Sequence, residues 1–96
     1  ESVYASMKGA QESLIKSLAK EFASTGVTVN GIAPGVVEGE MTGELPQEEQ
    51  AYLLEDLPQS RFIRPEEVLH AVKYLLAAEA QSVTGEIMNI NGGWYT

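Results

Sequence analysis

Cysteine is absent from the 96 residues, so neither a disulfide nor a thiolate metal site can form. Basic residues are scarce: six stand against fourteen acids, and the formal net charge of -8 repels phosphate backbones and anionic headgroups alike. Nucleic acid and membrane surfaces are therefore not expected as partners. No apolar run approaches the roughly 18–20 residues a membrane helix requires, and no basic segment leads into an apolar stretch at the N-terminus, which points to a cytoplasmic protein. Prolines number only four, and with 44% hydrophobic and 21% charged residues the composition is that of an ordered globular chain. The length allows one domain with a modest core. The opening Glu1-Ser2-Val3 carries no initiator Met and suggests a cleaved product or an excerpt of a longer protein.

What is present has clear periodicity. From Ser2 to Thr25, Met7, Leu14, Ile15, Leu18 and Phe22 recur at helical intervals, with Lys20 near the end and Gly26 placed to stop the helix. Val27–Ala33 alternates and runs into Pro34-Gly35, which reads as a buried parallel strand closed by a turn. Glu38–Leu57 holds seven acids and no base, a loop with one short helix. Pro65-Glu66-Glu67 marks a helix N-terminus, and Val68, Val72, Leu75 and Leu76 carry that helix to about Ala78 or Glu79. Glu86–Ile90 alternates again before an Asn91-Gly92-Gly93 turn. The order helix, strand, insert, helix, strand predicts an α/β fold with a right-handed parallel crossover. Two such strands do not make a self-sufficient sheet, so faces containing Leu14, Leu18, Val72 and Leu75 are expected to remain uncovered and to drive self-association unless more chain covers them.

Tyr4 and Lys8, four apart on a helix, share a face. An ammonium beside a phenol favours the phenolate, which eases proton exchange with a substrate oxygen near neutral pH, the task of a carbonyl reductase. In isolation the same spacing is more often a packed Tyr and a solvated Lys, and Pro34-Gly35 is more often a plain turn. His70 has no metal-like partner at i+4 and reads as a surface residue; no metal site is expected.

The three segments together change that balance. Tyr4-Ala5-Ser6-Met7-Lys8, then Val29-Asn30-Gly31-Ile32-Ala33-Pro34-Gly35, then Thr84-Gly85 through Asn91-Gly92-Gly93 occur in the order and spacing of the short-chain dehydrogenase/reductases, and Arg64-Pro65-Glu66-Glu67-Val68 matches the start of their penultimate helix. The resemblance covers essentially the whole chain and is nearest to 3-oxoacyl-[acyl-carrier-protein] reductases, the enzymes of fatty acid biosynthesis, down to the near-terminal Asn-Gly-Gly-x-Tyr.

That resemblance implies the C-terminal part of a Rossmann-type doubly wound parallel sheet: residues 1–96 as one segment of a single domain, with the N-terminal dinucleotide-binding half absent. It implies an oxidoreductase using NADP or NAD to move hydride between a carbonyl and an alcohol, an acyl thioester among the candidate substrates, in a homo-oligomer such as a dimer or tetramer. Tyr4 is then the proton donor in reduction, and Lys8 both tunes Tyr4 and bonds the nicotinamide ribose. Pro34, Gly35 and Val37 lie along the nicotinamide, Val37 through its main chain. The family's Ser, its helix Asn, its glycine-rich loop and the residue that selects NAD or NADP belong upstream of Tyr4. The Glu38–Leu57 insert corresponds to the family's mobile substrate lid. Two departures stand out: Gly39 where many members have a cofactor-touching Thr, and Thr25 where carrier-protein reductases often have a base that meets an acidic carrier. The contrasting expectation is an inactive fragment that serves as an oligomerisation or interaction piece.

Overall fold

The computed structural model describes residues 2–94. They form α1 (Ser2–Phe22), β1 (Gly31–Pro34), α2 (Glu40–Gly43), α3 (Gln47–Asp56), α4 (Pro65–Leu76) and β2 (Ile87–Ile90), with single 3₁₀ turns at Ala23–Thr25 and Ala78–Ala80. The two strands pair: Gly31 N–H donates to Glu86 O at 2.8 Å and Gly35 N–H to Ile90 O at 2.9 Å, so numbering rises together along both and the pairing is parallel, as the α/β reading predicts. The chain divides into two compact units, one running up to Gly31 with Lys73–Met88, the other Ile32–Val72 with the residues from Asn89 onward.

In the first unit α1 ends as the sequence predicts. Gly26 adopts φ 84° and donates its N–H back to Ala23 O. The helix approaches the backbone beneath it through small residues. A Cβ at Gly31 would lie 2.7 Å from Ile15 Cδ1, and one at Gly85 would lie 3.4 Å from Ala19 Cβ, with Ala19 itself only 4% exposed. The expected strand over Val27–Ala33 is shorter than its alternation suggested: residues 27–30 keep one backbone bond, from Gly85 N–H to Val29 O at 2.8 Å, and are otherwise held by side chains. Thr84 Oγ1 accepts the Val29 N–H at 3.0 Å; Asn30 donates from Nδ2 to Val83 O at 2.9 Å and accepts the Glu86 N–H at 3.1 Å. A side-chain amide can stand in for a backbone partner in this way, and here Asn30 does so for two groups.

In the second unit β1 ends at Pro34, as expected, and the chain bends at Val36 before it pairs again. Gly35 still donates to Ile90, and Val37 forms a parallel bridge with Ile63 through Glu38 N–H to Ile63 O and Ile63 N–H to Val36 O, both 2.8 Å. The insert, expected to hold one short helix, holds two. Thr42, 9% exposed, clips α2 by accepting the Gly39 N–H at 2.8 Å and donating to Gly39 O at 2.9 Å, and Pro46 precedes α3. Helix α4 begins at Pro65, as expected, and stops at Leu76, before the break at Ala77 into the second 3₁₀ turn. Glu67 secures its start: the carboxylate takes both Arg61 guanidinium nitrogens at 2.9 and 3.0 Å and the Arg64 N–H at 2.7 Å. The turn after β2 forms as predicted, with Gly92 and Gly93 at φ 63° and 88°. Tyr95, part of the near-terminal motif, lies outside the described residues.

The buried apolar residues are mostly small: Ala19, Ala71 and Ala80, joined by Leu57 and Ile63. Among the described residues no large side chain is fully buried, while Met7 is 60%, Leu14 58% and Leu76 80% exposed. Leu18, Val72 and Leu75, expected to be uncovered, are half-buried.

Two consequences can be measured in the full-length protein. Asn30→Ala strips partners from Val83 O and the Glu86 N–H, and is expected to lower stability by about 1–3 kcal/mol in urea unfolding; an unchanged midpoint would show the bridges to be dispensable. The second concerns Glu67, held at about 2 against an ordinary 4.5, first by the Arg61 hydrogen bonds and then by the Arg64 N–H. A carboxylate with a depressed folded value adds stability above its unfolded value and loses it as pH falls through the folded one, here between about 4.5 and about 2. The stability gap between wild type and Glu67→Gln should therefore narrow as pH is lowered from about 6 to about 3.

Candidate functional site

Helix α1 carries Tyr4 and Lys8 one turn apart, which sets both on the same face of the first unit, as their spacing predicts. Both are exposed, Tyr4 at 72%, and they neighbour exposed Val3 and Met7. The N-terminal half of α1 is thus open to solvent through residue 10, with a shallow depression along Ser2, Val3, Ser6, Met7 and Ala10. Exposure of this kind leaves the phenol and the ammonium free to meet other groups.

Pro34, Gly35 and Val37 belong to the second unit: Pro34 ends β1, and Val37 forms the isolated bridge just past a bend at Val36. Pro34 is exposed; Gly35 and Val37 are half-buried. Gly35 is required by proximity, since a Cβ there would lie 3.0 Å from Asn91 Cα and 3.1 Å from Asn91 Cβ. At Val37 the bridge to Ile63 uses the flanking Val36 O and Glu38 N–H. Backbone groups alternate direction along an extended chain, so the N–H and C=O of Val37 itself face away from Ile63. A main-chain donor and acceptor are therefore presented side by side, a pairing suited to a primary amide.

Gly39 is exposed and offers only backbone, and its N–H and C=O are both taken by Thr42. Thr25 lies exposed at the end of α1, its hydroxyl donating to Phe22 O at 2.6 Å, so no cation is presented there. His70 is exposed on α4. Among the described residues no group of three His, Asp or Glu could hold a metal ion, and no helix is long and apolar enough to cross a membrane.

Sequence reasoning quoted Asn30, Thr84 and Asn91 as motif letters without giving them work. Asn30 and Thr84 tie the strand entrances together; Asn91 meets Gly35 and uses Oδ1 to accept the Gly93 N–H at 3.0 Å. The available signal was the preference of Asn for bonding nearby backbone. The Trp94 to Asp56 bond, 38 residues apart in sequence, had no local signal.

Comparison with known proteins follows the same motifs. A family profile described as enoyl-(acyl carrier protein) reductase matches residues 1–95. The chain is 40% identical over 95 residues to the uncharacterized oxidoreductase YmfI of Bacillus subtilis, spanning 99% of this chain and 39% of that protein. It is 42% identical over 92 residues to the 3-oxoacyl-[acyl-carrier-protein] reductase FabG of Vibrio harveyi and 41% identical over 92 residues to FabG of Escherichia coli, in each case 96% of this chain and 38% of the relative. The chain thus spans about two fifths of the length of the curated relatives it matches. A match along nearly every residue, with the Tyr-x-x-x-Lys helix, the parallel strand pair and the glycine turn all in place, means that the chain belongs to the short-chain dehydrogenase/reductase family.

Proposed function

We propose that this chain is the C-terminal segment of a single domain of an NAD(P)-dependent oxidoreductase, a cytoplasmic homo-oligomer that interconverts a carbonyl and an alcohol. A 3-oxoacyl thioester is the favoured substrate class, on the strength of the names that the Vibrio and Escherichia relatives carry. The observation that carries the reading is the pairing of Tyr4 and Lys8 on one exposed helix face in a chain matching the family almost from end to end.

The residues present suit one end of a nicotinamide dinucleotide. Val37 offers an amide donor and acceptor together, and Gly35 keeps the backbone free of a side chain beside them. The chain contains no glycine-rich loop of the kind that cradles a diphosphate, so that end is assigned to another part of the protein. When bound, the dinucleotide supplies or accepts the hydride. Everything else falls to side chains. Tyr4 gives the proton from Oη to the substrate oxygen in reduction and takes it back in oxidation. Lys8, one turn along the same face, stabilises the charge that develops on the phenol oxygen as the proton leaves and also holds a ribose hydroxyl. The Val37 main chain orients the carboxamide. The exposed Met7, Leu14 and Leu76 supply apolar surface for the remaining sheet or a second subunit to cover.

In the full-length protein, Tyr4→Phe removes only the transferable proton. Turnover should fall about 10²–10⁴-fold while cofactor affinity, followed by nicotinamide fluorescence, stays close to wild type; near-normal turnover would falsify the role of Tyr4. Lys8→Met should produce two defects from one change, weaker cofactor binding and a slower chemical step with an altered pH–rate profile. If both affinity and profile are unaltered, Lys8 is a solvated surface residue.

A further inference from the structure

The C-terminal end of α3 breaks a local rule. Its last turn holds Glu55 and Asp56 and no base, which puts negative charge at the negative end of the helix. The tertiary structure answers this with a donor from far along the chain: Trp94 Nε1 donates to Asp56 Oδ2 at 3.0 Å. The same short stretch is gripped at further points. The side chain of Gln59 lies against Gly92, its Oε1 2.7 Å from where a Cβ would stand, and Pro58 Cβ is 3.9 Å from the corresponding point at Gly93. Leu57 is 6% exposed. Ser60 takes φ 56°, uncommon for a residue other than glycine, while its N–H donates to Leu57 O at 2.9 Å. The turn that does the gripping is itself organised by Asn91, which accepts the Gly93 N–H on Oδ1 and the Trp94 N–H on its carbonyl, and which abuts Gly35.

We propose that Trp94 and Asp56 form a latch that pins the C-terminal end of the acidic insert, α2 with α3, to the turn after β2, and that this latch sets how readily the insert opens. The base of the insert is held separately, by the Val37–Ile63 bridge that joins the chain on its two sides, while the Thr42 clip on Gly39 closes α2 locally. Releasing Asp56 therefore frees one end of α3 while leaving its base in place. The latch concerns opening and not hydride transfer, so it stands or falls apart from the proposed reaction.

Hydrogen–deuterium exchange of the full-length protein tests it without substrate. Trp94→Phe keeps an aromatic ring and loses the indole N–H with part of the ring surface; Asp56→Ala loses the acceptor; Asp56→Asn keeps an acceptor oxygen and drops the charge. Amides of residues 47–56 are expected to exchange roughly two- to tenfold faster in Trp94→Phe and Asp56→Ala, with α1 amides unchanged. Asp56→Asn should exchange at or below the wild-type rate, and the double variant no faster than either single one. Wild-type rates in Trp94→Phe, additive effects in the double variant, acceleration in Asp56→Asn equal to that in Asp56→Ala, or uniform acceleration across the chain would each overturn the latch.

Discussion

Close packing against glycine backbone, by side chains at Gly31 and Gly85 and by the Asn91 backbone at Gly35, is the constraint on which the described structure depends. In the first unit the underside of α1 rests on Gly31 through the tip of Ile15 and on Gly85, at φ 77°, through Ala19 in van der Waals contact. In the second, Gly35 touches Asn91 closely enough that a methyl group would be in collision with backbone. A larger residue at Gly35 would press on the Asn91 backbone beside the Gly35 N–H to Ile90 O bond, one at Gly31 would displace the Ile15 side chain, and one at Gly85 would strain a left-handed backbone. The alanines that dominate the buried apolar set follow from the same closeness.

Polar side chains take over where the ladder stops. Asn30 and Thr84 extend the pairing in the first unit beyond the strand ends, and Glu67 with Arg61 fixes the start of α4 in the second. Each satisfies a backbone group or a charge that would otherwise have to find water. The result is a scaffold whose order rests on hydrogen bonds and small-residue packing more than on a large apolar core, consistent with a segment that spans about two fifths of its relatives' length.

The proposed chemistry suits such a scaffold. Proton transfer needs a phenol at the right place with a cation near it, and a helix delivers that pair by its own repeat, without help from packing. Holding a planar amide needs one donor and one acceptor in line, and a bridged residue with one edge already engaged delivers that. The insert contributes acidic surface and none of the proposed reacting groups.

Much of this was legible in the residue order. Helical periodicity gave α1 and α4, Gly26 and the Gly92-Gly93 pair gave their turns, and the spacing of Tyr4 and Lys8 on a helix placed them on one face, because each of these depends on neighbours within a few positions. The roles proposed for Tyr4, Lys8 and Val37 rest on the likeness of three motifs to the family, not on spacing alone. The shortened strand, the second helix of the insert and the renewed pairing of the chain past Pro34-Gly35 were not legible, since Asn30, Thr42 and Ile63 act there through partners that only folding brings near. Local order determined which residues could form helix, strand and turn; the tertiary structure decided where each strand ended and which distant side chain, Trp94 for Asp56 above all, completed what local order left unpaired.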